Sequence, residues 1–135
     1  MKNIISYIKL GVVSLGTLFT WIFGAWDVPL ITLVVFIFLD YLTGVIKGCI
    51  NKELCSNIGL KGIAKKGSIL IVLLVAVMLD RLLSNEVWMF RTLICYFYIS
   101  NEGISILENC AALGVPIPEV LRNALKQLND KNDIK

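Results

Sequence analysis

The sequence predicts an all-α integral membrane protein, a helical bundle of four transmembrane helices followed by a short amphipathic C-terminal helix. Of the 135 residues, 57% are hydrophobic, whereas soluble domains contain about 45–50% apolar residues. The apolar residues gather into four runs separated by short polar segments. Lysine and arginine are frequent in alternate connections between these runs, which is typical of a multi-pass membrane protein.

The first predicted span covers about 10–26 and carries no charge. Gly16, Thr20 and Gly24 recur every four residues, and small residues at this spacing let two membrane helices approach closely. We therefore predict a helix that packs against another membrane helix. The basic start and the apolar run would also suit a signal peptide, but tryptophans stand where a cleavage site needs small residues.

The second predicted span covers about 29–46 and contains Asp40. Asp40, Gly44 and Lys47 share one face of this helix by their spacing. Lys47 can extend to the membrane interface while Asp40 stays deeper, so we expect Asp40 to face a polar region between helices. The alternative is an interfacial carboxylate near the helix end.

The segment 48–67 is predicted to be the one long connection, and it is rich in lysine. We expect Lys61, Lys65 and Lys66 to contact the phosphates of anionic lipids from a short surface helix. Its glycines resemble a phosphate-binding loop only superficially, because no strand precedes them and no Gly-Lys-Ser/Thr ending follows.

The third and fourth predicted spans cover about 68–83, which ends in Asp80-Arg81, and about 87–107. The fourth carries a polar stripe at alternating intervals of four and three residues, which places its members on one helix face. Its members are Arg91, Cys95, Tyr98, Glu102, Ser105 and Asn109. The stripe either faces other helices of the same chain, or it faces other copies of the protein or water, because a charge facing lipid costs about 3 kcal/mol.

We assign a candidate oligomer or pore seam to polar and small residues on three of the spans. We expect Asp80 to reach Arg91 across the turn between the third and fourth spans. Asp40 and Glu102 are expected at similar depth with no certain cation between them, so that they repel or share a proton. Such a contact could act as a two-state element. The assigned residues are Asp40, Gly44, Asp80, Arg91, Tyr98, Glu102, Ser105 and Asn109.

The C-terminal segment 114–135 is predicted to be a cytoplasmic amphipathic and charged tail that follows a four-span domain at 1–113. Pro118 suits the first position of a helix whose two sides are apolar and basic. This helix is too short to span a bilayer, so we expect it to lie on the membrane surface. The positive-inside rule then places both termini and the lysine-rich connection in the cytoplasm.

The residue types present exclude most site chemistry. The sequence contains no histidine, which removes the commonest metal ligand and general base. The four cysteines form no Cys-x-x-Cys pair, so we expect free thiols. We predict no catalytic residues, no cofactor, no metal and no nucleic-acid partner. The expected partners are the lipid bilayer and further copies of the chain.

Four motifs in order resemble the bacteriophage holin family, which includes the toxin-secretion holins. They are Asp40-Tyr-Leu-Thr-Gly44 with Lys47; Ser56-Asn-Ile-Gly59-Leu-Lys-Gly62-Ile-Ala-Lys65-Lys66; Asn101-Glu102 with Ser105-Ile-Leu-Glu108-Asn109; and Gly114-Val-Pro116-Ile-Pro118. Together they cover about residues 40–118. The departures from the family pattern are Gly48 and Gly67, and neither changes a charged position.

The resemblance implies a self-assembling protein of the bacterial inner (plasma) membrane. Such a protein permeabilises the membrane by pore formation and releases a peptidoglycan hydrolase, leading to cell lysis, or a toxin. The alternative interpretation is a non-lytic small membrane transporter or accessory subunit whose charges bind an ion or a partner helix. A downstream gene for a cell-wall hydrolase or a toxin would favour the first.

Overall fold

The computed structural model describes residues 1–53, 56–84 and 86–130, and within them every regular element is an α-helix. The helical fold class is thereby confirmed. Three helical segments in the described part of the chain, the helix Lys2–Phe23, the helix Val28–Ile50 and Gly59–Leu82, are long and apolar enough to cross a membrane. The five helices are α1 (Lys2–Phe23), α2 (Val28–Ile50), α3 (Ser56–Leu82), α4 (Met89–Ala112) and α5 (Glu119–Asp130).

The prediction of a long connection at 48–67 is wrong. Helix α2 continues to Ile50 and α3 already begins at Ser56, so most of this segment is helical. The glycines that suggested a loop lie on a helix face instead. The ring of Tyr41 packs 3.7–3.9 Å from the positions that a Cβ would occupy at Gly59 and Gly62. Glycine at these two positions lets α3 approach α2. The packing gained by this approach outweighs the low helix propensity of glycine.

Helix α4 is the centre of the fold and packs against α2, α3 and α5. Short turns make α3 antiparallel to both α2 and α4. We call the end with the α1–α2 and α3–α4 turns the arginine end, because Arg81 and Arg91 lie there. The opposite end, with the α2–α3 connection and Lys47, Lys61 and Lys65, is called the lysine end.

The buried apolar core is small and lies between the arginine end and the middle of the bundle. Leu30 and Leu33 of α2 and Leu73 and Val77 of α3 are completely buried because they recur every three or four residues on the faces turned to α4. Most other large apolar side chains are exposed, as expected of helices that face lipid. The core cluster consists of Phe23, Leu30, Leu33, Leu73, Val77, Cys95 and Ile99.

Helix α1 is exposed along most of its length and contacts α3 near the arginine end. In the predicted small-residue face, no described atom comes within 4 Å of a Cβ built on Gly16, whereas the Thr20 hydroxyl accepts a hydrogen bond of 2.8 Å from the Trp26 indole N–H. Gly24 lies beyond the helix end with a φ of 86°, a left-handed conformation that favours glycine.

Helix α5 folds back along α4 and packs against it. Gly114 has a φ of 87° and helps to reverse the chain after α4. The Ser100 hydroxyl then donates a hydrogen bond to the Leu125 carbonyl oxygen. The last five residues of the predicted tail, 131–135, lie outside the described residues, as does Cys55. The three described cysteines, Cys49, Cys95 and Cys110, are free thiols.

Candidate functional site: a buried charged seam

The polar stripe of α4 faces the interior of the chain. Arg91 is 1% exposed, Cys95 0% and Glu102 3%, while Tyr98 and Asn109 are half-buried. The structure therefore supports the first interpretation of the stripe, in which these side chains face neighbouring helices of the same chain. Arg91 and Glu102 lie about 16 Å apart by helix rise, so each finds its own partners.

Arg91 joins α4 to the turn between α1 and α2. Its Nε donates a hydrogen bond of 2.7 Å to the Phe23 carbonyl oxygen, and one Nη donates to the Ala25 carbonyl oxygen at 2.7 Å. The guanidinium also donates to both carboxylate oxygens of Asp27, at 2.7 and 3.1 Å. This bidentate pairing suits the planar guanidinium, and the single ammonium group of a lysine could not reproduce it.

Asp27 is the acidic partner that the sequence analysis did not single out. It precedes α2 and accepts a hydrogen bond of 3.2 Å from the Leu30 backbone N–H, as the N-cap of that helix. Partial burial alone would raise the pKa of Asp27. The hydrogen bonds from Arg91 and Leu30 outweigh this effect and hold the pKa below its ordinary value of 3.8.

Asp80 closes the α3–α4 turn by contacting the start of α4. Its two carboxylate oxygens accept hydrogen bonds from the backbone N–H groups of Phe90, at 3.0 Å, and Arg91, at 2.8 Å. These N–H groups have no partner within their own helix, and a carboxylate also suits the positive end of the helix dipole. The predicted approach of Asp80 to Arg91 is found, but these hydrogen bonds come from backbone N–H groups.

A second charged group lies deeper in the bundle, and we call it the Lys66 cluster. The ammonium of Lys66 on α3 bridges the carboxylates of Asp40 on α2 and Glu102 on α4. The side chains of Lys66 and Asp40 are 12% exposed and that of Glu102 is 3% exposed. Each residue lies ten positions from the lysine end of its helix, about 15 Å by helix rise. The cluster therefore joins three helices at one depth.

Polar residues between the Lys66 cluster and the lysine end of the bundle hydrogen-bond to Asp40 or lie beside it. The Asn109 amide donates to Asp40 at 3.2 Å and to the Thr43 hydroxyl at 3.1 Å. Gly44 lets the two helices approach here, because a Cβ at this position would lie 3.8 Å from the Asn109 amide nitrogen. An open cavity of about 310 Å³ adjoins the cluster. Its lining includes Asp40, Tyr41, Gly44, Lys47, Ser105 and Asn109.

The expectation that Lys66 contacts lipid phosphates is wrong, whereas Lys61 and Lys65 are exposed near the lysine end of α3. A signal for the true role of Lys66 was present in the sequence. Lys66, Ile69, Leu73, Val77 and Asp80 follow one another at intervals of three or four, and the last four of them are buried. Lys66 therefore begins the inward-facing stripe of α3.

The predicted repulsion between Asp40 and Glu102 is also corrected. The two carboxylates do lie at one depth, but Lys66 stands between them. One ammonium neutralises one carboxylate, so the ionised cluster retains one negative charge in excess. Among the described residues, no group of three or more acidic, cysteine or histidine side chains is placed to hold a metal ion. The charged side chains of the described residues form ion pairs between helices and with the α1–α2 turn.

Comparison with known proteins gives the family. The model for the bacteriophage holin family matches residues 17–130. A probable holin of Bacillus phage phi105 is 41% identical over 72% of this chain and 71% of its own length. The chain belongs to the bacteriophage holin family, which confirms the resemblance noted in its motifs.

Two further relatives cover nearly the whole chain. An uncharacterised 14.9 kDa protein in the nagH 3' region of Clostridium perfringens is 84% identical over 97% of this chain and 99% of its own length. An uncharacterised protein of Clostridium acetobutylicum is 45% identical over 83% of this chain and 90% of its own length. No solved structure matches the chain.

Proposed function

We propose that this chain is a holin that assembles with itself in the bacterial plasma membrane and makes the membrane permeable to a cell-wall hydrolase or a toxin. The observation that carries the proposal is the family match, which covers residues 17–130. The fold agrees with it, because three helical segments of the described chain are long and apolar enough to cross a membrane.

In the proposed topology α1, α2, α3 and α4 all cross the membrane, and both termini lie in the cytoplasm. Helix α4 is less apolar than the other three, but Arg91 and Glu102 are buried and do not face lipid. Its 24 residues extend about 36 Å, enough to cross a hydrocarbon core of about 30 Å. Lys47, Lys61 and Lys65 place the lysine end on the cytoplasmic side by the positive-inside rule.

The charged seam in this proposal holds the shape of one subunit. Arg91 fixes the α1–α2 turn, and the Lys66 cluster fixes α2 and α3 on α4. Because Lys66 pairs with both carboxylates, removing one of them leaves the other ion pair in place and should relax the cluster without disrupting it. Loosening a clamp between three helices changes how readily subunits rearrange, so Glu102→Gln should shift the time of lysis while leaving membrane insertion intact.

The alternative of a small transporter or accessory subunit has one feature in its favour, the cavity beside Asp40 and Asn109. Such a protein would move an ion or bind a partner without collapsing the membrane potential. Inducible expression in bacteria separates the two, with a potential-sensitive dye, viable counts and membrane fractionation measured together.

For a holin, the dye should report an abrupt loss of potential at a set time after induction, followed by a fall in viable counts. Glu102→Gln should change that time, whereas Glu108→Gln should not, because Glu108 is an exposed carboxylate on the same helix. A chain that reaches the membrane in full amount and never lowers the potential would contradict the proposal and favour the accessory role.

A further inference from the structure

The charged side chains of Arg91, Lys66 and Glu102 are turned to neighbouring helices of the subunit, whereas the polar face of α5 is exposed. Five polar residues of α5 recur at intervals of three, one, three and one, which places them on one side of the helix. All five side chains are exposed. They are Glu119, Arg122, Asn123, Lys126 and Gln127, and we call this side the polar face of α5.

The opposite side of α5 fits into a notch on α4. A Cβ at Gly103 would lie only 2.9 Å from both methyl carbons of Leu125 and 3.0 Å from Phe36 of α2. Glycine at this position is therefore what allows α5 to lie so close. The Ser100 hydroxyl bonds to the Leu125 carbonyl oxygen, and Leu128 packs against the apolar core. Helix α5 is thus docked by several specific contacts.

With α4 crossing the membrane as proposed above, the contact between Leu125 and α4 lies near the depth of the bilayer centre. Gly103 and Ser100 lie nine and twelve residues from the lysine end of α4, which is about 13 and 18 Å by helix rise. Half of a hydrocarbon core is about 15 Å. Lys126 and Gln127 follow Leu125 directly, so their exposed side chains lie near the middle of the membrane if α4 spans it.

Lipid is an unsuitable neighbour for this face. A charged side chain turned to hydrocarbon is energetically unfavourable, and the face carries both Arg122 and Lys126 at exposed positions. Polar residues at membrane depth are found where they line water or meet a polar partner. Leu125 and Leu128 on the opposite side of α5 are held against the bundle, so the polar face stays turned to the surroundings.

We propose that α5 is a re-entrant helix whose polar face lines a water-filled passage enclosed by several copies of the chain. This inference rests on the proposed function, since the passage is the membrane lesion of a holin. The apolar side of α5 attaches the lining to each subunit, and the arginine, lysine and amide side chains contact water. The charged seam inside each subunit plays no part in the lining.

The test uses the full chain with its four native cysteines replaced by alanine, reconstituted into vesicles of bacterial lipid and into planar bilayers. Release of a trapped dye first establishes whether this chain makes vesicles permeable. Single cysteines are then introduced as Gln127→Cys and Asn123→Cys on the polar face. Ile71→Cys serves as the control, because Ile71 is a 64% exposed apolar residue of α3 near the same depth.

Two quantities are measured, the rate of reaction with charged, membrane-impermeant thiol reagents and the cation-to-anion permeability ratio before and after reaction. Gln127→Cys and Asn123→Cys should react at least about tenfold faster than Ile71→Cys, because the reactive thiolate forms in water and not in hydrocarbon. Reagents of opposite charge should shift the permeability ratio in opposite directions.

Three results would contradict this inference, and each has a different meaning. Fast reaction without a change in the permeability ratio would place α5 on the membrane surface and overturn the inference. Reaction as slow as that of Ile71→Cys in a chain that releases dye would mean that the face meets lipid or protein, which also overturns it. A chain that inserts and releases no dye contradicts the proposed function, and with it the passage.

Discussion

Replacing Lys66 by methionine should be among the most destabilising single substitutions in the bundle. The change keeps much of the side-chain volume and removes the cation that lies between Asp40 and Glu102. Removing one partner of a buried ion pair costs about 3–5 kcal/mol, because the remaining charge is left unpaired. Here two carboxylates lose the same partner and also repel each other, so we expect a value toward the upper end of that range.

Replacing the carboxylate of Glu102 should destabilise the bundle far less than replacing Lys66. Glu102→Gln leaves the Lys66–Asp40 pair intact and removes the excess negative charge, so the loss should be about 1 kcal/mol, the size of a typical hydrogen-bond change. Combining Lys66→Met with Asp40→Asn and Glu102→Gln should recover most of the stability lost in Lys66→Met, since no buried charge then remains in the cluster.

The assay is unfolding of the purified chain in mixed micelles by increasing amounts of denaturing detergent, followed by tryptophan emission. Lys65→Met is the matched control, because Lys65 is the adjacent lysine and is exposed. Equal stability of the Lys66→Met and Lys65→Met chains would refute the ion-pair reasoning. So would a triple variant no more stable than Lys66→Met alone.

Three further predictions concern other parts of the molecule. Gly103→Leu should displace α5 and make the C-terminal segment easier to cleave with protease, whereas Gly67→Ala, at a helical position with open space, should leave that cleavage unchanged. Since the pKa of Asp27 lies below 3.8, its contribution to stability should be present at neutral pH and decline as the pH falls below about 3.8, and Asp27→Asn should remove this dependence in unfolding curves measured against pH. An impermeant thiol reagent applied to intact cells should label Glu86→Cys and spare Lys61→Cys, and the opposite pattern would reverse the proposed topology.

Regular spacing made much of the fold predictable. The intervals of the α4 stripe identified the face that turns away from lipid, including Arg91, Cys95 and Glu102, but did not decide between neighbouring helices of the chain and other copies or water. The contact between Asp80 and the start of α4 was predictable for a related reason. A short turn brings the ends of two antiparallel helices together whatever their other partners are.

The partners of those residues were harder to predict. Glycines and lysines at 59–67 have the composition of a surface loop, and this obscured the helical spacing that turns Lys66 inward. The docking of α5 depends on the missing side chain at Gly103, and a single glycine inside a helix gives no sign of which element will approach it. The sequence places Asp27 in a turn between two predicted spans. Its contact with Arg91 could not be predicted from local spacing, because the two residues are 64 positions apart in the sequence.

The most direct test of the central claim is release from vesicles by the purified chain alone. Vesicles of bacterial lipid are loaded with a small dye and a folded fluorescent protein, and the density of the inserted chain is increased stepwise. A self-assembling holin should release both cargoes, with a threshold in chain density because several copies must meet. Insertion to high density with both cargoes retained would contradict the claim that this chain permeabilises membranes by itself.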